Sequence, residues 1–110
     1  MWNERCWTRT IAGDLTSALA DCNAAIQLNA QDPSPLDSRG LIYLKTGQWD
    51  AAIADYTAAL KLDPKSASSL YGRGSAQLKK GNAAAGNADI AAAKAVDPKI
   101  ADHFSGYGIK

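Results

Sequence analysis

The chain holds little with which to do chemistry. Among 110 residues there is one histidine, one methionine and one phenylalanine. The single histidine, His103, has no serine or cysteine partner in a recognisable nucleophile arrangement, so a solvated or half-packed side chain is expected there. Cysteine is limited to Cys6 and Cys22. Two thiols without a neighbouring histidine or further cysteines do not complete the four ligands of a zinc site. No apolar run approaches the roughly 20 residues of a membrane span, and no signal-peptide pattern opens the sequence. Charge of one sign is also missing. Twelve basic and eleven acidic residues leave a net charge of +1, and the basic residues do not cluster, which argues against a nucleic-acid or anionic-membrane partner. Gly72-Arg73-Gly74 has the look of a phosphate-binding loop but lacks the following Gly-Lys-Ser/Thr and lies within a predicted helix. Acidic residues are scattered, with no pair placed for acid–base work. No enzyme activity, cofactor or metal is therefore expected.

What is present is a core and a period. Apolar residues make up 46% of the chain, enough for a folded domain, and a single domain of this size buries about two-thirds of its unfolded surface. The stretch from Pro33 to Pro64 reads PSPLDSRGLIYLKTGQWDAAIADYTAALKLDP. Two apolar-periodic runs, 36–45 and 51–62, flank Thr46-Gly47-Gln48. The second puts Ala52, Ile53, Tyr56, Ala59 and Leu60 on one face, which is helical spacing. Gly47 stands where the first helix must stop and the chain reverse, so the unit is an antiparallel helix–turn–helix. It recurs every 34 residues. Leu36 becomes Leu70, Arg39-Gly40 becomes Arg73-Gly74, Gly47 becomes Gly81, Asp55 becomes Asp89, Ala59 becomes Ala93 and Asp63-Pro64 becomes Asp97-Pro98. Towards the start the same interval gives Trp2, Arg5, Gly13, Ala18, Asp21, Ala25, Ile26 and Leu28.

Helical hairpins of this period resemble the tetratricopeptide repeat. The middle copy carries the likeness best. Gly40 and Tyr43 follow the family's small-then-aromatic rule, Trp49 its aromatic place after the turn, and Ala52, Tyr56, Ala59 and Pro64 its Ala, aromatic, Ala and Pro places. The first copy departs from it, with Ala30 at the closing proline place. The resemblance covers about residues 2 to 98. It implies an all-α superhelix, a single domain over 1–110: repeats at 1–32, 33–66 and 67–98, then a capping helix and tail over 98–110. Ile100 and Phe104 share a face of that helix, with Tyr107 beyond, and Gly106 and Gly108 end it. Asp14, Ser34, Ser66 and Asn82 are the expected helix caps, Ser34 with Pro35 at the first helical position.

Recurring pairs separate structure from function. Arg5, Arg39 and Arg73 are each followed sixteen residues later by Asp21, Asp55 and Asp89. A joint must repeat at the structural period and a functional site rarely does, so these read as Arg–Asp bridges between helices. Cys6 and Cys22 fall at interior places, where two buried thiols are the favoured reading and a disulfide, suited to an oxidising compartment, is the other.

The resemblance further implies a right-handed superhelix whose concave face is lined by the first helix of each repeat. Matching places put Asn3, Trp7 and Thr10 on that face, then Asp37, Leu41, Leu44 and Lys45, then Tyr71, Ser75, Leu78 and Lys79. The family's carboxylate clamp for the acidic tails of chaperones is absent: its places hold Asn3 and Trp7, then Ser38, then Ser68 and Gly72. An extended, partly apolar peptide is the expected ligand, held by Leu41, Leu44 and Leu78. The expected function is protein–protein binding by a monomer or weak homodimer. Self-association is one alternative, and a regulatory or substrate-presenting module of a larger enzyme is another. The wording of the motif resembles bacterial repeats, so the cytoplasm or periplasm of a bacterium is expected. The opening at Met1-Trp2 inside a helix reads as a piece of a longer protein.

Overall fold

A computed structural model describes the backbone of residues 2–109 and the side chains of residues 4–109. Among the described residues seven helices follow one another: α1 (Trp2–Ala12), α2 (Leu15–Leu28), α3 (Pro33–Lys45), α4 (Trp49–Leu62), α5 (Ala67–Lys79), α6 (Ala83–Val96) and α7 (Ile100–Gly106). They pair as the hairpins α1/α2, α3/α4 and α5/α6, with α7 after them.

One turn serves all three hairpins. Gly13, Gly47 and Gly81 sit at φ +88, +76 and +90, the left-handed region that a side chain resists. In each, the next amide reaches back to the last turn of the preceding helix: Asp14 N–H to the Arg9 carbonyl at 2.9 Å, Gln48 to Tyr43 at 2.9 Å and Asn82 to Gln77 at 2.8 Å. This is the Schellman reversal, which satisfies carbonyls the helix end would otherwise orphan. Capping at the helix starts is less uniform than the residue types imply. Ser66 accepts from the Ser69 amide at 3.2 Å. Asp14 and Asn82, expected to cap, make no side-chain cap bond. Closing the reversal leaves their ψ at 71 and 74, short of the extended backbone from which a cap side chain turns back onto its helix. Ser34 is corrected as well: α3 begins two residues earlier, at Pro33, and Asp32 accepts from the Ser34 amide at 3.0 Å.

The helices form an inner and an outer layer. α1 packs on α3, α3 on α5 and α5 on α7, whereas α2, α4 and α6 touch inner helices and not one another. A layer in contact backed by a layer splayed apart must curve, with α1, α3 and α5 on the concave side. The inner layer closes tightly where side chains are small. Tyr56 from α4 is fully buried between α3 and α5, and a Cβ on Gly40 or Gly72 would come within 2.9 and 2.2 Å of its ring. Its hydroxyl has no hydrogen-bond partner among the described residues.

The Arg–Asp pairs are joints. Arg39 donates to both Asp55 oxygens at 2.7 and 2.8 Å, and Arg73 to both Asp89 oxygens at 2.7 and 3.0 Å. Each guanidinium also reaches the preceding hairpin, Arg39 to Asn23 Oδ1 at 2.9 Å and Arg73 to Thr57 Oγ1 at 3.4 Å. One fork thus ties its own hairpin and docks it on the last. Arg5 makes the same bidentate bond to Asp21 at 3.1 and 2.9 Å, with Arg9 3.0 Å from the same carboxylate. The Arg5 bond holds the Asp21 carboxyl below its ordinary range.

The favoured reading of the cysteines is corrected. Cys6 and Cys22 are joined by a disulfide between α1 and α2, with Cα atoms 5.0 Å apart. They face each other across the hairpin at the places where Gly40 meets Tyr56 in the next copy, so the small-against-large contact is replaced by a covalent one.

α7 continues the inner layer in shortened form. Phe104 falls in the column of Leu36 and Leu70 and is buried against α5. Its helix then ends in a fourth reversal, with Gly108 at φ +89 and the Ile109 amide on the Phe104 carbonyl at 3.0 Å. That glycine comes seven residues sooner than the period of Gly13, Gly47 and Gly81 would place it.

Candidate functional site

The early end of α7 turns residues 107–109 across the concave face. Tyr107 meets Trp7 of α1 edge to face, ring centroids 5.3 Å apart, and stacks at a tilt on Phe104 at 5.4 Å. Phe104 in turn lies 4.7 Å from Tyr71 of α5. An aromatic chain therefore spans the groove from its first inner helix to its third, with Tyr107 in the middle.

Tyr107 divides the groove into two open clefts. One, of about 360 Å³, lies between Glu4, Trp7, Asp37, Ser68 and Tyr107. The other, of about 320 Å³, lies between Leu44, Lys45, Trp49, Lys79, Tyr107 and Ile109. The first is acidic and the second basic, so the groove is polar along its length.

Asp37 is half-buried at the floor of the acidic cleft. Its carboxylate accepts from the hydroxyls of Ser68 at 2.7 Å and Ser69 at 2.8 Å. Burial pushes its carboxyl above the ordinary range, and the two hydroxyls oppose that shift without cancelling it. Burial and then the Asp37 charge raise Tyr107 as well. A carboxyl raised in the folded state contributes stability that is fully present below its unfolded pKa and lost as pH rises through the raised value. Asp37→Asn keeps an acceptor for one serine and a donor for the other without the charge. Its melting temperature should exceed that of the wild type by a few degrees at pH 7, with the gap closing towards pH 4. If Asp37→Asn melts lower than wild type at pH 7, the charge is stabilising here.

The residues expected on the concave face divide into two groups. Trp7, Asp37, Lys45, Tyr71 and Lys79 do come together at the groove, with Lys45 half-buried and donating to the Thr10 carbonyl at 3.4 Å. Leu41 and Leu44 are 2% and 3% exposed and belong to the core. Leu44 forms floor of the basic cleft, and Leu41 lies beneath the surface. Thr10 is buried, donating to the Cys6 carbonyl at 2.7 Å, and Ser75 is buried too. Trp7, Leu41 and Ser75 hold one place in successive repeats, as do Thr10, Leu44 and Leu78, yet only Trp7 and Leu78 escape burial, so the place alone does not decide exposure. Leu78 is exposed but lies against Gly86 of α6. The side chain of Asn3 is outside the described residues. Trp49, Tyr107 and Ile109 were not among the expected groove residues. The signal for the last two was the misplaced Gly108.

A family model of the TPR repeat matches residues 40–81. No curated protein matches the chain. Among solved structures, the chain is similar to the type III secretion translocator chaperone SycD of Yersinia enterocolitica, in an alternative dimer form. That likeness has a TM-score of 0.83 at 18% identity and covers 97% of this chain and 83% of the other. Identity that low speaks for the fold.

Proposed function

We propose that this chain is a protein-interaction module of the tetratricopeptide-repeat kind, acting without catalysis by holding a peptide or protein segment in the inner groove. The observation that carries this is the run of rings from Trp7 through Tyr107 to Phe104 and Tyr71, set between an acidic and a basic cleft. Partly exposed aromatic side chains in a concavity are the usual anchors of binding, and each can carry about 2 kcal/mol. The similar Yersinia protein is a translocator chaperone, which supports the holding of a protein client. The absent carboxylate clamp speaks against the acidic tails of chaperones. Among the described residues no helix is long and apolar enough to cross a membrane.

The test is to select binders from a library of displayed random peptides on the wild-type chain and map them by amide chemical shifts. Selected peptides should move the amides around Trp7, Lys45, Tyr71 and Lys79, and should lose about tenfold or more in affinity on Trp7→Ala. Shifts confined to α2, α4 and α6 would place binding on the outer layer and refute the groove.

Self-association has one specific observation behind it. Leu28, Leu62 and Val96 recur at the 34-residue period, each at the end of an outer helix, and all three are exposed. Sedimentation of the same samples separates the two readings: a concentration-dependent mass with no selected peptide favours this one.

A further inference from the structure

The segment Tyr107–Ile109 is not needed to complete the helical array. Phe104 already fills the column that Leu36 and Leu70 begin, and α7 has ended by Gly106. The amides of Gly108 and Ile109 bond only back to their own helix, to Ser105 at 3.1 Å and Phe104 at 3.0 Å. Among the described residues no hydrogen bond joins the segment to α1, α3 or α5. It is held in the groove by two side chains. Tyr107 sits against Trp7, and Ile109 reaches the basic cleft beside Leu44 and Trp49. A Cβ on Gly106 would meet nothing within 4 Å, so no close packing demands that glycine. Glycine on both sides of Tyr107 lowers the barrier to lifting it away.

We infer that Tyr107–Ile109 is an internal stand-in for the groove's ligand, and that the ligand replacing it presents an aromatic side chain, an aliphatic one two residues later and an acidic group directly after. The first two elements copy the anchors now seated. The third follows from charge. Beyond Ile109 the cleft is bordered by Lys45 and Lys79, while the acids of the groove, Glu4 and Asp37, lie at the other end. In sequence the residue after Ile109 is Lys110, so the strap lacks the acid that this end favours. A ligand that has it gains two ammonium partners that the strap does not use. This deepens the groove reading and rests on it.

The probe is the labelled heptapeptide SGYGIEE, with SGYGIKK as its charge-reversed partner, titrated into the full chain. Tyr107→Gly/Ile109→Gly removes the competing anchors. It should bind SGYGIEE about tenfold or more tighter than wild type does, and SGYGIKK more weakly than SGYGIEE by a similar factor. Lys45→Glu/Lys79→Glu leaves the strap in place and should reverse the peptide preference, so the charge element is tested on a chain whose tail is intact. Equal affinity of SGYGIEE for wild type and strap variant would overturn the stand-in. An unchanged preference in the Lys45/Lys79 variant would overturn the acidic element. If SGYGIEE binds no form of the chain while selected library peptides still map to the groove, this inference fails and the groove stands. If those peptides map to the outer layer, the groove fails with it.

Discussion

Replacing Gly72 by alanine should lower the stability of the domain by about 2–3 kcal/mol. The new Cβ would lie 2.2 Å from Cζ of Tyr56 and 2.6 Å from its hydroxyl oxygen. Tyr56 has nowhere to go, because the opposite edge of its slot is Gly40 of α3, itself within 2.9 Å by the same measure. Either the ring leaves its rotamer or α5 moves off α3. Alanine's helix preference returns about 1 kcal/mol of the cost, which is why the net figure is not larger. The contact can be isolated by a double-mutant cycle in urea unfolding. In a Tyr56→Leu background the Gly72→Ala change should cost little or even stabilise. Equal cost in both backgrounds would show that Gly72 is required for some reason other than the ring. The outcome bears on function, since α3 and α5 carry Asp37, Lys45, Tyr71 and Lys79 to the groove.

Arg39→Ala should be comparably severe, at about 3–5 kcal/mol. It strands the Asp55 carboxylate, whose side chain is 8% exposed, and frees Asn23 of the preceding hairpin at the same time. Burying a charge is tolerable only while its partner is present. The matching change at the first joint, Arg5→Ala, should cost much less. Arg5 is 48% exposed, and Asp21 keeps Arg9 at 3.0 Å. Chemical denaturation of the two variants side by side checks the ranking. Equal losses would mean that the forks act through general charge balance and not through local burial.

The period was the most readable property of the sequence, because it is written in residues that packing cannot exchange. Gly13, Gly47 and Gly81 must be left-handed, Gly40 must clear Tyr56, and Arg39 must meet Asp55 one hairpin arm away. Each constraint is local to one or two positions and leaves its mark at a fixed interval. The groove was less readable. Place in the repeat assigns a residue to an inner helix, but whether its side chain is covered depends on the neighbours that each particular copy supplies. Trp7, Leu41 and Ser75 hold the same place in successive repeats, yet Leu41 and Ser75 are buried while Trp7 stays partly exposed at the groove. The cysteines illustrate a different limit. Both the thiol and the bonded form suit an interior place, and only the separation of the two backbones decides between them. The strap was hardest of all, because it departs from the repeat and is marked by one glycine seven residues out of step.

The contact between Tyr107 and Trp7 also sets a span. Each hairpin closes on itself through the same glycine reversal, and the second and third dock on the one before through the same arginine fork, so nothing in those joints counts how many hairpins there are. A duplicate of residues 33–66 inserted after itself would find each of its joints already provided for. Tyr107 would then be carried one hairpin further from α1, and Trp7 would face open groove. The rings at the two ends of the chain act as a gauge: they close only on an array of three, and a longer array would remain an open arc.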